Sequence, residues 1–174
     1  MKSTRLSYFF PIIIILLLCI GCEQKAQDSS LHEENWANRS IDISKKDSLE
    51  YGKTYLSIYS QIYSYSEHTK HNLTAMVGLR NTSDTDSIYI LRASYYDTKG
   101  ELVRTYFNQP IYLAPLETTE IIINESDISG GTGSNFIFEW KIPKNGVEPL
   151  FEAVMSSTMG QQGLSFTTQG KRIE

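Results

Sequence analysis

From Gly52 onward, apolar and polar residues alternate with a period near two. Leu73, Ala75, Val77 and Leu79 interleave with Thr74, Met76, Gly78 and Arg80, the mark of a strand with one buried face. Tyr55 to Tyr63 reads as the first strand. Ile88, Ile90, Ala93 and Tyr95 form another, and the slip of phase near Leu91 predicts a bulge. Asp97-Thr98-Lys99-Gly100 is a hairpin turn, because glycine supplies the positive φ that closes it. Leu102 to Phe107, Ile111 to Leu113 and Glu117 to Asn124 follow, separated by Asn108-Gln109-Pro110 and the Ala114-Pro115 bend. Phe136, Phe138 and Trp140 share one face of a further strand. Pro143 to Pro149 is a loop that turns at Asn145-Gly146. Phe151 to Ser157 and Leu164 to Thr168 are the last pair, joined through Gly160 and Gly163. With turn signals roughly every 8–12 residues and no convincing amphipathic helix, the pattern predicts an all-β protein. The expected form is an antiparallel β-sandwich of about seven to nine strands, immunoglobulin-like.

The N-terminal segment is patterned differently. Lys2 and Arg5 precede an almost unbroken apolar run from Tyr8 to Ile20, shorter than the ~20 residues of a membrane span. The run closes on Cys19-Ile20-Gly21-Cys22, which resembles the lipobox of bacterial lipoproteins. That resemblance implies cleavage after Gly21 and lipid on Cys22, namely a diacylglycerol on sulfur and an acyl group on the new amino terminus. Residues 1–21 are then a signal peptide. Cys19 stands where leucine is commoner, and it follows the bulky Leu18, so it is not the modified residue. Glu23 rather than Asp after the cysteine points to the outer membrane by the proteobacterial sorting rule. Several acyl chains, at ~0.8 kcal/mol per buried CH₂, hold a protein at a bilayer without a span. An uncleaved N-terminal anchor is the alternative, and it too places the rest of the chain outside the cytoplasmic membrane.

Residues 22–50 are polar, with scattered Leu31, Trp36, Ile41, Ile43 and Leu49 and a weak helical signal near His32 to Ala37. They read as a flexible tether, spanning roughly 30 Å root-mean-square as a coil. Residues 51–174 are the folded domain, long enough for one core.

Charge and cysteine content then narrow the chemistry. The chain has 16 Lys and Arg against 20 Asp and Glu. The signal holds two of those cations and no anion, so the exported part carries −6. That charge argues against broad attraction to nucleic acid or to anionic lipid headgroups. Beyond Cys22 no cysteine remains, which rules out a disulfide framework, a thiol nucleophile and thiolate-bound zinc.

Several segments resemble a bacterial family catalogued as the domain of unknown function numbered 3124. They are Leu79-Arg80-Asn81-Thr82, Tyr95-Tyr96-Asp97 with Gly100, and Pro115-Leu116. Further segments are Asp127-Ile128-Ser129-Gly130-Gly131 with Gly133 and Asn135-Phe136, Glu152-Ala153-Val154-Met155, and Gly163-Leu164-Ser165-Phe166. The resemblance runs from about Gly52 to Ile173, and Ser134 departs from the alanine expected there. It implies an exported or lipid-anchored bacterial protein. It implies no activity, and no catalytic residue is carried over.

Candidate chemistry lies in five groups of residues. Asp127, Ser129, Gly130, Gly131, Thr132, Gly133 and Asn135 form a glycine-rich loop, whose backbone amides can converge on an anion as a nest. No lysine follows and a strand comes next, so the loop is not a P-loop; a wide turn in which Asp127 caps amides is the structural alternative. Tyr55, Tyr59 and Tyr63 share strand parity and form a candidate aromatic surface for a sugar or a protein, or else ordinary strand packing. His68 and His71 beside Glu67, and Asn81, Asp84 and Asp86, hint at metal ligands. Neither set has a specific ligand spacing, and no metal or other cofactor is expected. Glu120, Asp127, Glu139 and Glu152 are acid–base candidates only if the fold gathers them, and Glu139 points away from the Phe136, Phe138 and Trp140 side. No Ser-His-Asp order is legible. The leading expectation is a non-catalytic binding or assembly module at the membrane surface, docking an envelope protein or glycan. An envelope hydrolase using loop carboxylates and a purely structural spacer are the alternatives.

Overall fold

A computed structural model describes residues 34–46, 48–158 and 163–174. The expected signal peptide, Cys22, the part of the expected tether up to residue 33 and Gly160 lie outside the described residues. Residues 34–174 form one unit. Among the described residues, no helix is long and apolar enough to cross a membrane.

Twelve strands follow a 3-10 turn at Trp36–Arg39. They are β1 (Leu49–Ile58), β2 (Gln61–Ser64), β3 (Ser66–Asn72), β4 (Thr74–Arg80), β5 (Ile88–Tyr96) and β6 (Leu102–Phe107). β7 (Ile111–Leu113), β8 (Thr118–Ile123), β9 (Ser134–Pro143), β10 (Leu150–Ser157), β11 (Leu164–Gln169) and β12 (Lys171–Arg172) complete the set. One sheet runs β12-β1-β9-β5-β6, with β7 extending the β6 edge of β5. The second runs β11-β10-β4-β8, and β2 and β3 pair only with each other. All pairings are antiparallel. The expected all-β sandwich is therefore present. Its strands outnumber the seven to nine expected, because the chain breaks its edges into short pieces: β6 and β7 flank Asn108–Pro110, and β11 and β12 flank Gly170.

The last long hairpin, β10–β11, stays within one sheet. β9 and β10 lie in opposite sheets, and β1 fills the place beside β9. The loop between them is long enough to cross the sandwich end, and Asn145 turns it at φ 60°.

Alternation places the core. β4 turns Ala75, Val77 and Leu79 inward against Ala153 and Phe151 of β10 and Ile121 of β8. From the larger sheet come Leu56, Ile58, Ile88, Ile90, Ala93 and Tyr95, all buried. An aromatic column links the layers. Tyr95 stacks on Phe136 at 4.9 Å, Phe136 on Phe138 at 5.2 Å, and Phe138 on Phe151 of the facing sheet at 4.2 Å. Each such ring contributes about 1.5–3 kcal/mol by leaving water. The bulge expected near Leu91 is found, with the β5–β9 register shifting between Ile90 and Arg92. Gly100 closes the β5–β6 hairpin at φ 81°.

Two boundaries depart from the sequence expectation. Residues 34–50 had the composition of a tether, yet the described part of that stretch is built onto the sandwich. Trp36 packs on Phe107 with ring centroids 4.8 Å apart, the Ile41 amide donates to the Pro110 carbonyl at 2.9 Å, and β1 already begins at Leu49. Arg39 holds the strap by ion pairs to Glu34 (2.7 Å) and Glu117 (2.6 Å). The first strand, expected over Tyr55–Tyr63, breaks after Ile58. Buried Ser60 donates its amide to the Gly131 carbonyl, and the chain then leaves the sheet as the β2–β3 hairpin.

Candidate functional site

The glycine-rich loop closes one end of the sandwich. Its Gly131 carbonyl accepts from the Ser60 and Gln61 amides at 3.1 Å each. The Gly130 carbonyl accepts from the Thr98 amide (3.1 Å) and hydroxyl (3.0 Å), while the Gly133 amide donates to that hydroxyl at 3.0 Å. Beneath the loop, the Tyr95 hydroxyl meets Ser60 Oγ at 2.7 Å and Ser134 Oγ at 3.2 Å, and Ser134 donates to the Ile58 carbonyl at 2.9 Å. Gly130 lies so close that a Cβ there would sit 1.8 Å from the Tyr95 oxygen. Thr132 is half-buried beside these contacts, and Asn135 begins the outward face of β9 opposite Ser57 and Tyr96. Asp127 caps the Ser129 amide (3.2 Å) and hydroxyl (2.5 Å) and pairs with Arg104 at 3.0 Å. Burial pushes the Asp127 carboxyl up, but Ser129 and Arg104 outweigh it and hold it below its ordinary value. The Gly131 and Gly133 amides thus spend their hydrogen bonds within the protein.

The three candidate tyrosines fall on different elements. Tyr55 is exposed on the outer face of β1. Tyr59 sits in the break after β1, edge-on to Phe166 at 5.8 Å, and Tyr63 lies on β2 under the Lys70 ammonium, 5.2 Å from its ring. The β2–β3 hairpin also carries Glu67, His68 and His71; His68 is 3.6 Å from Glu67, and His71 sits edge-on to Tyr65 at 6.2 Å. Asn81 is buried. Its amide donates to the carbonyls of Asp86 (2.7 Å), Ala114 (2.9 Å) and Leu113 (3.2 Å), so it braces a turn while Asp84 and Asp86 face solvent. Among the described residues, no group of three or more His, Cys, Asp and Glu side chains is arranged to hold a metal.

The four candidate carboxylates are not gathered. Glu120 and Glu152 flank Gly78 on the outer face of the smaller sheet, and Glu152 pairs with Arg80 at 2.6 Å. Asp127 belongs to the loop. Glu139 stands alone on the outer face of the larger sheet, pointing away from the aromatic column as its parity requires.

Around Glu139 lies a groove of about 560 Å³, lined by Ile43, Leu91, Arg92, Asn108, Pro110, Glu139 and Lys141. The strap supplies Ile43, and the gap between β6 and β7 supplies Asn108 and Pro110. β5 supplies Leu91 and Arg92, and β9 supplies Glu139 and Lys141. In register, Glu139 lies between Lys53 of β1 and Arg92 of β5. Such cross-strand neighbours are close enough to pair. Lys53 instead binds Glu174 at 3.1 Å, and among the described residues Glu139 accepts only from the Tyr51 hydroxyl, at 3.3 Å. Burial, with the Glu139 charge beside it, pushes the Tyr51 phenol up, so it stays a donor. Among the described residues, neither Arg92 nor Lys141 forms an ion pair. The Lys46 ammonium lies 4.9 Å from the Tyr89 ring centre, on the strap that carries Ile43. This groove was not read from the sequence except for Glu139. The Leu91 bulge, which was legible, was the local signal that brings Arg92 outward; the strap wall had none.

A family described as protein of unknown function, DUF3124, matches residues 51–173. No curated protein matches the chain. Among solved structures, a crystal structure of Thermotoga maritima 1070 is similar with a TM-score of 0.44 and 12% identity, covering 69% of this chain and 92% of that one.

Proposed function

The chain belongs to the DUF3124 family of proteins of unknown function, and from that premise we propose a binding module of the bacterial envelope, held at the membrane by lipid on Cys22. Export and anchoring are supported by the basic start, the apolar run and the Gly21-Cys22 junction. The observation that carries the binding role is the groove beside Glu139, where two cations face an open cleft without a carboxylate partner. A cation left unpaired beside an available carboxylate contributes little to folding and is disposed to meet a ligand. The partner is an envelope protein or glycan, and the module does no bond chemistry on it.

Two measurements test this reading. Radiolabelled palmitate enters the wild type and is lost in Cys22→Ala; equal labelling of both rejects the lipid anchor. A photo-crosslinking residue replacing Tyr112, an exposed neighbour of Tyr89 on the groove-bearing face, captures a discrete partner in intact cells. The same probe at Lys99, in the β5–β6 turn, does not. Equal capture at both positions, or none at Tyr112, rejects the binding role for this face.

A further inference from the structure

Resting on that binding role, we infer that the groove takes an acidic sugar, with the carboxylate of a uronic acid unit held between Arg92 and Lys141. Four features of the lining select this class. Arg92 presents a planar fork of donors that matches a carboxylate, and Lys141 adds a point charge on the neighbouring strand. Beside these cations stand groups suited to hydroxyls: Glu139 as acceptor, oriented by Tyr51, and Asn108 as both donor and acceptor. Ile43, Leu91 and Pro110 supply apolar walls of the kind that cover the C–H face of a pyranose ring. The volume, about 560 Å³, lies within the usual range of small-ligand sites. A bare oxyanion brings no hydroxyl for Glu139 and Asn108, and a neutral sugar leaves both cations unused. A ligand carrying an anion and several hydroxyls satisfies all of them. Of the strap's carboxylates, Asp42 is engaged with the Ser44 amide at 2.8 Å and Glu34 with Arg39 at 2.7 Å. On a chain whose exported part is net negative, this is a local cationic cleft.

The test titrates the ¹⁵N-labelled full chain in detergent micelles with D-glucuronate, D-glucose and inorganic phosphate, reading backbone amide shifts. Glucuronate moves the amides of Leu91, Arg92 and Lys141 saturably, and glucose binds about tenfold more weakly or not at all. Arg92→Gln and Lys141→Gln each weaken glucuronate about fivefold or more while their melting curves match the wild type, since neither side chain is tied into the fold. Absence of saturable shifts up to roughly 50 mM glucuronate overturns the proposal, as does unchanged affinity in both variants. Phosphate binding as tightly as glucuronate at the same amides also overturns it, because the sugar hydroxyls would then contribute nothing. Specific crosslinking from position 112 alongside a failed glucuronate titration removes the acidic sugar and leaves the binding role standing. Failure of both removes the two together.

Discussion

Gly130→Ala puts the packing of the glycine-rich loop to a quantitative test. The added methyl carbon would stand 1.8 Å from the Tyr95 oxygen and 2.7 Å from both Ser134 Oγ and Tyr95 Cζ. To restore ordinary contact, the hydroxyl has to retreat by roughly 1.5 Å. Tyr95 has nowhere to go, because it is fully buried and stacked on Phe136. Overpacking of this kind costs about 1–3 kcal/mol. Retreat also breaks the bond to Ser60 and weakens that to Ser134; both serines are fully buried, and leaving such a group unpaired costs about 1–3 kcal/mol. The expected loss is about 3–5 kcal/mol, a fall in Tm of roughly 10 °C or more for a unit of this size. Urea unfolding followed by fluorescence of Trp36 and Trp140 measures it. Tyr95→Phe removes the nearest atom, so Gly130→Ala made in that background costs at least about 1.5 kcal/mol less than in the wild type. A Gly130→Ala protein within about 0.5 kcal/mol of wild type, or identical costs in both backgrounds, would refute the argument that this loop is seated on Tyr95.

Three further outcomes follow from separate contacts. Asn81→Ala destabilises by about 2–4 kcal/mol in chemical unfolding, because it takes a donor from three buried-side carbonyls, of which Ala114's keeps the Glu117 amide, and leaves the Ser83 amide without its partner; Asn81→Asp is worse, since an ionised carboxylate cannot donate to carbonyls. Glu117 is pushed up by burial, but Arg39 and the Ala114 amide outweigh this and hold its folded pKa below the ordinary 4.5. Its stabilising contribution is therefore complete above about pH 4.5 and disappears as pH falls through the lowered folded value; Glu117→Gln flattens that acid limb of the stability–pH curve. Gly170→Ala places a Cβ 2.7 Å from Thr54 Cγ2 and 3.1 Å from the Phe151 carbonyl, so hydrogen exchange at the Ile173 amide, bonded to Lys53, speeds up at least tenfold while exchange in β4 changes little.

The alternation of residues was enough to locate nearly every strand and to choose its inward face, because side-chain period is a local property of extended backbone. It placed Phe136, Phe138 and Trp140 together, turned Glu139 outward, and marked the Gly100 turn and the Leu91 bulge. The resemblance of residues 19–22 to a lipobox is equally a matter of neighbouring residues. What lay beyond local pattern was pairing between distant segments. Trp36 finds Phe107, Arg39 finds Glu117 and the Ile41 amide finds the Pro110 carbonyl, and none of these leaves a periodic trace, so a stretch of tether composition became a wall of the groove. Ser60 breaks the first strand because the Gly131 carbonyl, seventy residues on, competes for its amide. The charge state of the groove was likewise settled in three dimensions. Lys53 and Arg92 both oppose Glu139 in register, yet Lys53 is drawn to Glu174, and among the described residues Arg92 and Lys141 form no ion pair before the open cleft.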